Sequence, residues 1–251
     1  MQIAVVLYGQ PRDYLKGYNN IIKFINTQED CKFNFFFHCW TLNENETYKC
    51  SPWRNINNNE LVYNKNVISE LIELYNPILY EFENQNNVII DESLYKDTIV
   101  YNDTDINSLS NINNTLFQMY SRNKARNLLN KYLIDNNNIN YDFVMHIRFD
   151  INDMPKINFN ELNKSQVYIS NLHLPRIIMP DNCIITNLHI FLEWFNIYDM
   201  LNDILNDNNL LMKITSLNEK MLINPEQLIL AKYIYHYNNT DNIAYFSGGS
   251  L

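Results

Sequence analysis

Segments with strand-like and helix-like patterning alternate along most of this 251-residue chain. That alternation predicts an α/β fold, a mixed and mainly parallel sheet flanked by helices. Two further observations support the class. The first apolar run, Ile3 to Tyr8, has no polar interruption, as expected of a strand covered on both faces. Hydrophobic residues make up 46% and aromatic residues 14%, enough to build a sizeable core without disulfides or a structural metal.

The elements follow in order. Tyr14 to Asn26 places Leu15, Tyr18, Ile22 and Ile25 at helical spacing. Phe33 to Cys39 is a second strand. Val67 to Tyr75 is a helix stopped by Asn76-Pro77, because the residue before proline is driven out of the helical region. Ile78 to Glu83 is a third strand. Thr115 to Asp135 is the clearest helix, with Leu116, Met119, Leu128, Leu129, Tyr132 and Leu133 turned inward. Phe143 to Phe149 is a fourth strand, and Val167–Ser170 and Cys183–Thr186 are short ones. His189 to Leu205 is helical with a break, and Asn224-Pro225-Glu226 opens a last helix that runs to Tyr237. Asparagine-rich stretches (Asn55 to Asn59, Asn84 to Asn87, Asn102 to Asn114, Asn136 to Asn140) read as loops between them. Residues 1–246 form one domain on this reading. The tail Ser247 to Leu251 is a linker or an artificial remnant.

Composition narrows the function. A formal charge of −9 argues against nucleic acid as a partner. No apolar run approaches the roughly 20 residues of a membrane span. Met1 to Leu7 lacks the basic flank of a signal peptide. Cys31, Cys39, Cys50 and Cys183 show no paired spacing and read as reduced thiols, which points to the cytoplasm. His38-Cys39 has no second ligand pair for zinc. With 45 asparagines, N-x-S/T triplets such as Asn45-Glu46-Thr47 arise by chance. The four glycines are Gly9, Gly17, Gly248 and Gly249, so neither GxGxxG nor a P-loop can be written. A bound nucleotide would need side chains and a metal ion to hold its phosphates.

Ligands of parallel α/β sheets sit beyond the carboxyl ends of the strands. The end of the fourth strand looks chemical. Val144, His146, Arg148 and Asp150 share one face, and it grows more polar towards the exit. There Asp150 could bind Mn²⁺ or Mg²⁺, with Asp153 as a second ligand, while Arg148 neutralises a phosphate. The alternative is an Arg-Asp pair that fixes the strand end. His146 reads as a core histidine.

Several segments carry a resemblance. Ile3 to Arg12, with its G-x-x-R turn, Phe35 to Trp40, ending in His-x-Trp, and Asn76-Pro77 before a strand are three of them. The others are Gln118 to Ala125, Tyr141-Asp142-Phe143-Val144 with Arg148-Phe149-Asp150, and Asn224-Pro225-Glu226. In this order they resemble a loose group of microbial and large-DNA-virus glycosyltransferase-like proteins of the GT-A type. R-x-D stands where that pattern has D-x-D. The resemblance implies a nucleotide-sugar donor, with a UDP-sugar slightly favoured. It also implies a glycan or protein acceptor, Mn²⁺ or Mg²⁺, and host cytoplasm if the chain is viral. Gly9, Gln10, Arg12, Trp40, Gln118, Ser121, Arg122 and Arg148 are then the candidate nucleotide-binding residues. Gly9 permits a tight exit, and Arg12 contacts the diphosphate or lies near the base. Trp40 stacks on a ring or belongs to the core. Gln118, Ser121, Arg122 and Ala125 share a polar helix face that lines the pocket or faces solvent. Asp181 and Glu226 are the candidate general bases, with Asp181 slightly favoured. Two other functions fit the same parts, a non-catalytic carbohydrate- or protein-binding domain on a decayed transferase fold and a nucleotidyl or phosphosugar transferase.

Overall fold

The computed structural model describes residues 1–48, 62–90, 107–170, 179–210, 212–213 and 225–246. Cys50, the Asn55–Asn59 stretch, Asn224 and the 247–251 tail lie outside them. One seven-stranded sheet organises the described chain, with strand order β3-β2-β1-β4-β6-β5-β7. The strands are β1 (Gln2–Gly9), β2 (Lys32–Thr41), β3 (Leu79–Asn84), β4 (Phe143–Arg148), β5 (Val167–Ser170), β6 (Cys183–Thr186) and β7 (Ile243–Phe246). β1 pairs in parallel with both β2 and β4, and β2 with β3. β6 runs antiparallel to β4 and β5, and β7 is parallel to β5. The class is the expected one, α/β with a mixed and mostly parallel sheet.

Both faces of the sheet are covered. On one, Ile3, Val5 and Leu7 of β1 and Phe143, Met145 and Ile147 of β4 pack beneath α1 (Tyr14–Ile25) and α2 (Asn66–Tyr75). On the other, Ala4, Val6, Tyr8 and Val144 meet α3 (Asn107–Asp135), α4 (Leu188–Trp194), α5 (Leu201–Asn206) and α6 (Pro225–Tyr237). This two-sided burial explains why β1 reads as a continuous apolar run.

Two departures from the expected elements are informative. Helix α3 begins at Asn107, so residues 107–114 extend it into what reads as a loop. No apolar period marks those turns. The face of α3 also differs. Leu116, Met119, Arg122, Ala125 and Leu129 are all fully buried, at the three- and four-residue spacing of one stripe. Ser121 and Arg122, expected on a polar face opposite the core, therefore lie inside it. Strand β7 was not anticipated, because four residues near the end of the chain carry too little pattern.

Candidate active site

The sheet reverses its winding at β1. From β1 the chain proceeds outward through β2 and β3, then returns across α3 to place β4 on the other side. The crevice outside the carboxyl ends of β1 and β4 is thus the topological switch point, where this architecture holds ligands. The register pairs Tyr8 with Arg148, which brings the Gly9–Arg12 exit beside the Arg148–Asp150 exit. β6 is antiparallel to β4, so its entry residues Asp181 and Asn182 reach the same edge. The Arg148 amide donates to the Asn182 carbonyl at 3.1 Å.

At the β1 exit, Gly9 has a φ of +101°, a conformation that side-chain-bearing residues rarely adopt. Its amide donates to Ser121 Oγ at 2.8 Å. Ser121 Oγ lies 2.8 Å from His38 Nδ1, and His38 Nε2 lies 3.2 Å from Glu83 Oε2. Burial holds His38 below its ordinary pKa despite the Glu83 contact, so the ring is neutral. Ser121 can then accept from Gly9 and donate to Nδ1, while Nε2–H donates to Glu83. The chain of bonds anchors the turn. Gln10 reaches Gln85 at 2.8 Å.

At the β4 exit, the Arg148 guanidinium makes a forked pair with both Asp150 oxygens, each bond 2.9 Å. Its remaining terminal nitrogen donates to Asp181 Oδ2 at 3.0 Å. Arg12 approaches Asp150 Oδ2 at 3.6 Å, and its own Nε is buried without a partner. Gln118 donates to Asp181 Oδ2 at 2.6 Å. Beneath this layer Arg122 is fully buried. It donates to the Tyr8 hydroxyl oxygen and the Asp181 carbonyl, and to His146 Nδ1 at 3.1 Å. Its guanidinium stacks on the Tyr8 ring at 4.1 Å.

The electrostatics separate the two candidate bases. Burial raises the Asp181 pKa, but the Arg148 and Arg122 guanidiniums outweigh it, and the carboxyl stays below its ordinary value. Glu226, in the first turn of α6, is pushed up to about 7, by burial first and by the Asp181 charge second. Its shift also carries the fields of Arg148 and Arg122, which places it at the same cluster. Arg12 and Arg148 thus meet the Asp150 carboxyl, Arg148 and Gln118 hold the Asp181 carboxyl, and Glu226 feels the charges of Asp181, Arg148 and Arg122.

Several expected roles change. Asp181 has structural work, as the partner of Arg148 and Gln118. Trp40 is 2% exposed, stacked on Tyr120 and edge-on to Phe117, and belongs to the core. Ser121 and Arg122 are too deep to touch a ligand; they position Gly9 and Asp181. Cys39 is buried and its Sγ faces the Trp40 carbonyl. His146 is the core histidine expected.

A divalent cation does not suit these residues. Both Asp150 oxygens are held by Arg148, and Asp150 is 4% exposed. Asp153 is exposed beyond the strand end. Among the described residues no group of three His, Cys, Asp or Glu could bind a metal ion. In this structure Asp150 is an arginine partner and Asp153 a surface acid.

Next to Arg12 opens a cavity of about 410 Å³, walled by Tyr14, Tyr48 and Tyr63 with Asn64 and Lys16 at its edge. The tyrosines went unnoticed in the sequence, since they come from three segments. Tyr8 and Glu83 were also missed: a tyrosine ending an apolar strand looks like core. Helix α1 fixes the whole exit. Gly17 packs so close that a Cβ there would lie 1.7 Å from the Phe149 carbonyl oxygen. Asn20 donates to the Ile151 and Asn152 carbonyls at 3.0 and 2.8 Å.

No protein-family model matches the chain, and no curated protein does. Among solved structures it aligns with the galactosyltransferase LgtC in complex with donor and acceptor sugar analogs. The identity is 10%, the TM-score 0.41, and the alignment covers 98% of this chain and 73% of that one. An active-site mutant of LgtC aligns at 9% identity and a TM-score of 0.40, covering 98% and 72%. Likeness this distant transfers no activity to this chain.

Proposed function

We propose that this protein is a glycosyltransferase that uses a nucleotide-diphosphate sugar, with arginines in place of a divalent cation. The observation that carries the reading is the cluster at the switch point, where Arg12 and Arg148 meet on Asp150 and Arg148 also reaches Asp181. The motif resemblance supplies the class of reaction. In this reading the nucleoside occupies the tyrosine-walled cavity. The diphosphate lies against Arg12 and Arg148, whose forked donors match phosphate oxygens. Glu226 removes the proton from an acceptor hydroxyl as its oxygen attacks the anomeric carbon. The sugar–phosphate bond breaks, and the two guanidiniums stabilise the negative charge on the departing diphosphate.

Isothermal calorimetry with UDP and other nucleoside diphosphates tests it, alongside hydrolysis of a sugar-nucleotide panel. Saturable binding and turnover in EDTA at the level seen with Mn²⁺ is the expected result. Strict dependence on Mn²⁺ would overturn the arginine role. One observation favours a second reading, a non-catalytic binding domain. Arg148 is already satisfied by Asp150 and Asp181. A panel that binds but is never turned over would favour it.

A further inference from the structure

A second cationic pocket lies away from the strand exits, between α3, α4 and α6. It has a volume of about 450 Å³ and is lined by Arg126, Leu192, Asn196, Met200 and Lys232, among others. Lys232 is 1% exposed. Its ammonium donates to the Met200 sulfur at 2.9 Å and lies 5.6 Å from the Tyr235 ring centroid. A thioether is a weak acceptor, and among the described residues no carboxylate comes within ion-pair contact of this ammonium, a costly arrangement for a buried charge. Among the described residues Arg126 makes no contact ion pair either, although the Asp199 charge acts on it. Its nitrogens serve the Leu192 carbonyl and Asn127 Oδ1. Burial lowers the Lys232 pKa; the Glu193 charge opposes that and the Arg126 charge adds to it.

The pocket's acid, Glu193, offsets the burial of Lys232 in part, and its own contacts lie elsewhere. Glu193 is engaged by His236 at 2.8 Å, by His189 at 3.4 Å and by Tyr237 at 3.4 Å. The opposite deficiency sits beside the cations. Asn196 Oδ1 is buried with no donor. Two cations with no carboxylate in contact among the described residues and one acceptor lacking a donor thus share a cavity with the apolar side chains of Leu192 and Met200.

We propose that this pocket binds a small hydroxylated organic anion. Its carboxylate or phosphate sits between Lys232 and Arg126, a hydroxyl donates to Asn196 Oδ1, and its carbon skeleton lies on Leu192 and Met200. The site is separate from the switch-point crevice and does not depend on the function proposed there.

Glycerol 3-phosphate is a suitable probe, with glycerol and inorganic phosphate as controls, titrated by calorimetry at constant ionic strength. Saturable millimolar or tighter binding of glycerol 3-phosphate is expected, stronger than either control. Lys232→Met, which keeps an unbranched apolar stem and removes the charge, should weaken it at least tenfold. Arg126→Gln should do the same, and serves if Lys232→Met does not fold. Arg12→Gln should leave it unchanged. Absence of saturable binding, or wild-type affinity in both pocket variants, would overturn the proposal. Loss in Arg12→Gln with retention in Lys232→Met would place the anion at the strand exits and overturn it equally.

Discussion

The two cationic regions differ in how their charges are balanced. At the strand exits, Arg148 and Arg12 are matched to Asp150 and Asp181 across distances of 2.9 to 3.6 Å. Behind the sheet, Lys232 faces a thioether and Arg126 a carbonyl. The first is held together by its own ions, so removing one member leaves others buried and unpaired. The second is held by the apolar packing around it, so removing its cation relieves a penalty. Buried ion pairs behave in this asymmetric way, in which breaking one is far worse than never having made it.

Mutations can break that contrast. The largest effect should come from Arg148→Gln, which strands Asp150 and Asp181. Denaturant unfolding should register a loss of about 3–5 kcal/mol, and a loss under about 1 kcal/mol would mean the carboxylates rehydrate freely. Asp150→Asn should destabilise as well, because Asp150 is a buried arginine partner and not a rim ligand.

Next comes Glu226→Gln. If Glu226 is the base, kcat should fall about 10²-fold or more, and the wild-type rate should rise as pH passes through about 7. Stability moves with a definite sign. A carboxyl raised from 4.5 to about 7 favours the folded state below its unfolded value and loses that contribution as pH rises through the folded one. Glu226→Gln should therefore gain on wild type from about pH 4.5 to pH 7, about 3 kcal/mol at the top of the window. Parallel melting curves across that range would dismiss the shift.

Arg12→Gln should be milder. Its single 3.6 Å contact predicts a stability change within about 1 kcal/mol, with nucleoside diphosphate affinity reduced about tenfold. The smallest effect belongs to Lys232→Met, a neutral or slightly raised melting temperature. A marked fall would mean that the ammonium has a structural partner and would align the rear pocket with the front cluster.

Much of this was readable in the chain. The alternation of β4 placed Phe143, Met145 and Ile147 on one face and Arg148 and Asp150 towards the crevice, as found. The end of β1 was placed correctly because Gly9 interrupts an apolar run. Three matters were not legible. Arg122 occupies a position of the buried α3 stripe, where spacing predicts an apolar residue; only the Tyr8, His146 and Asp181 partners explain it. Trp40 and Tyr120 stack across a distance of eighty residues that no local pattern spans. The pairing of Arg148 with Asp181 depends on β6 running antiparallel to β4, a topological fact that alternation of elements does not encode.

The fit of Gly17 against Phe149 has a consequence for how the chain can drift. Any single-nucleotide missense change in a glycine codon introduces a Cβ, and here a Cβ would meet a backbone oxygen at 1.7 Å. The carbonyl cannot rotate away as a side chain would, because Phe149 links Arg148 to Asp150. The smallest genetic step at this helix position thus shifts the paired ions at the strand exit. In a mutational scan, codon 17 should tolerate synonymous changes alone and score with the ionic cluster, although it contributes no polar side chain to it.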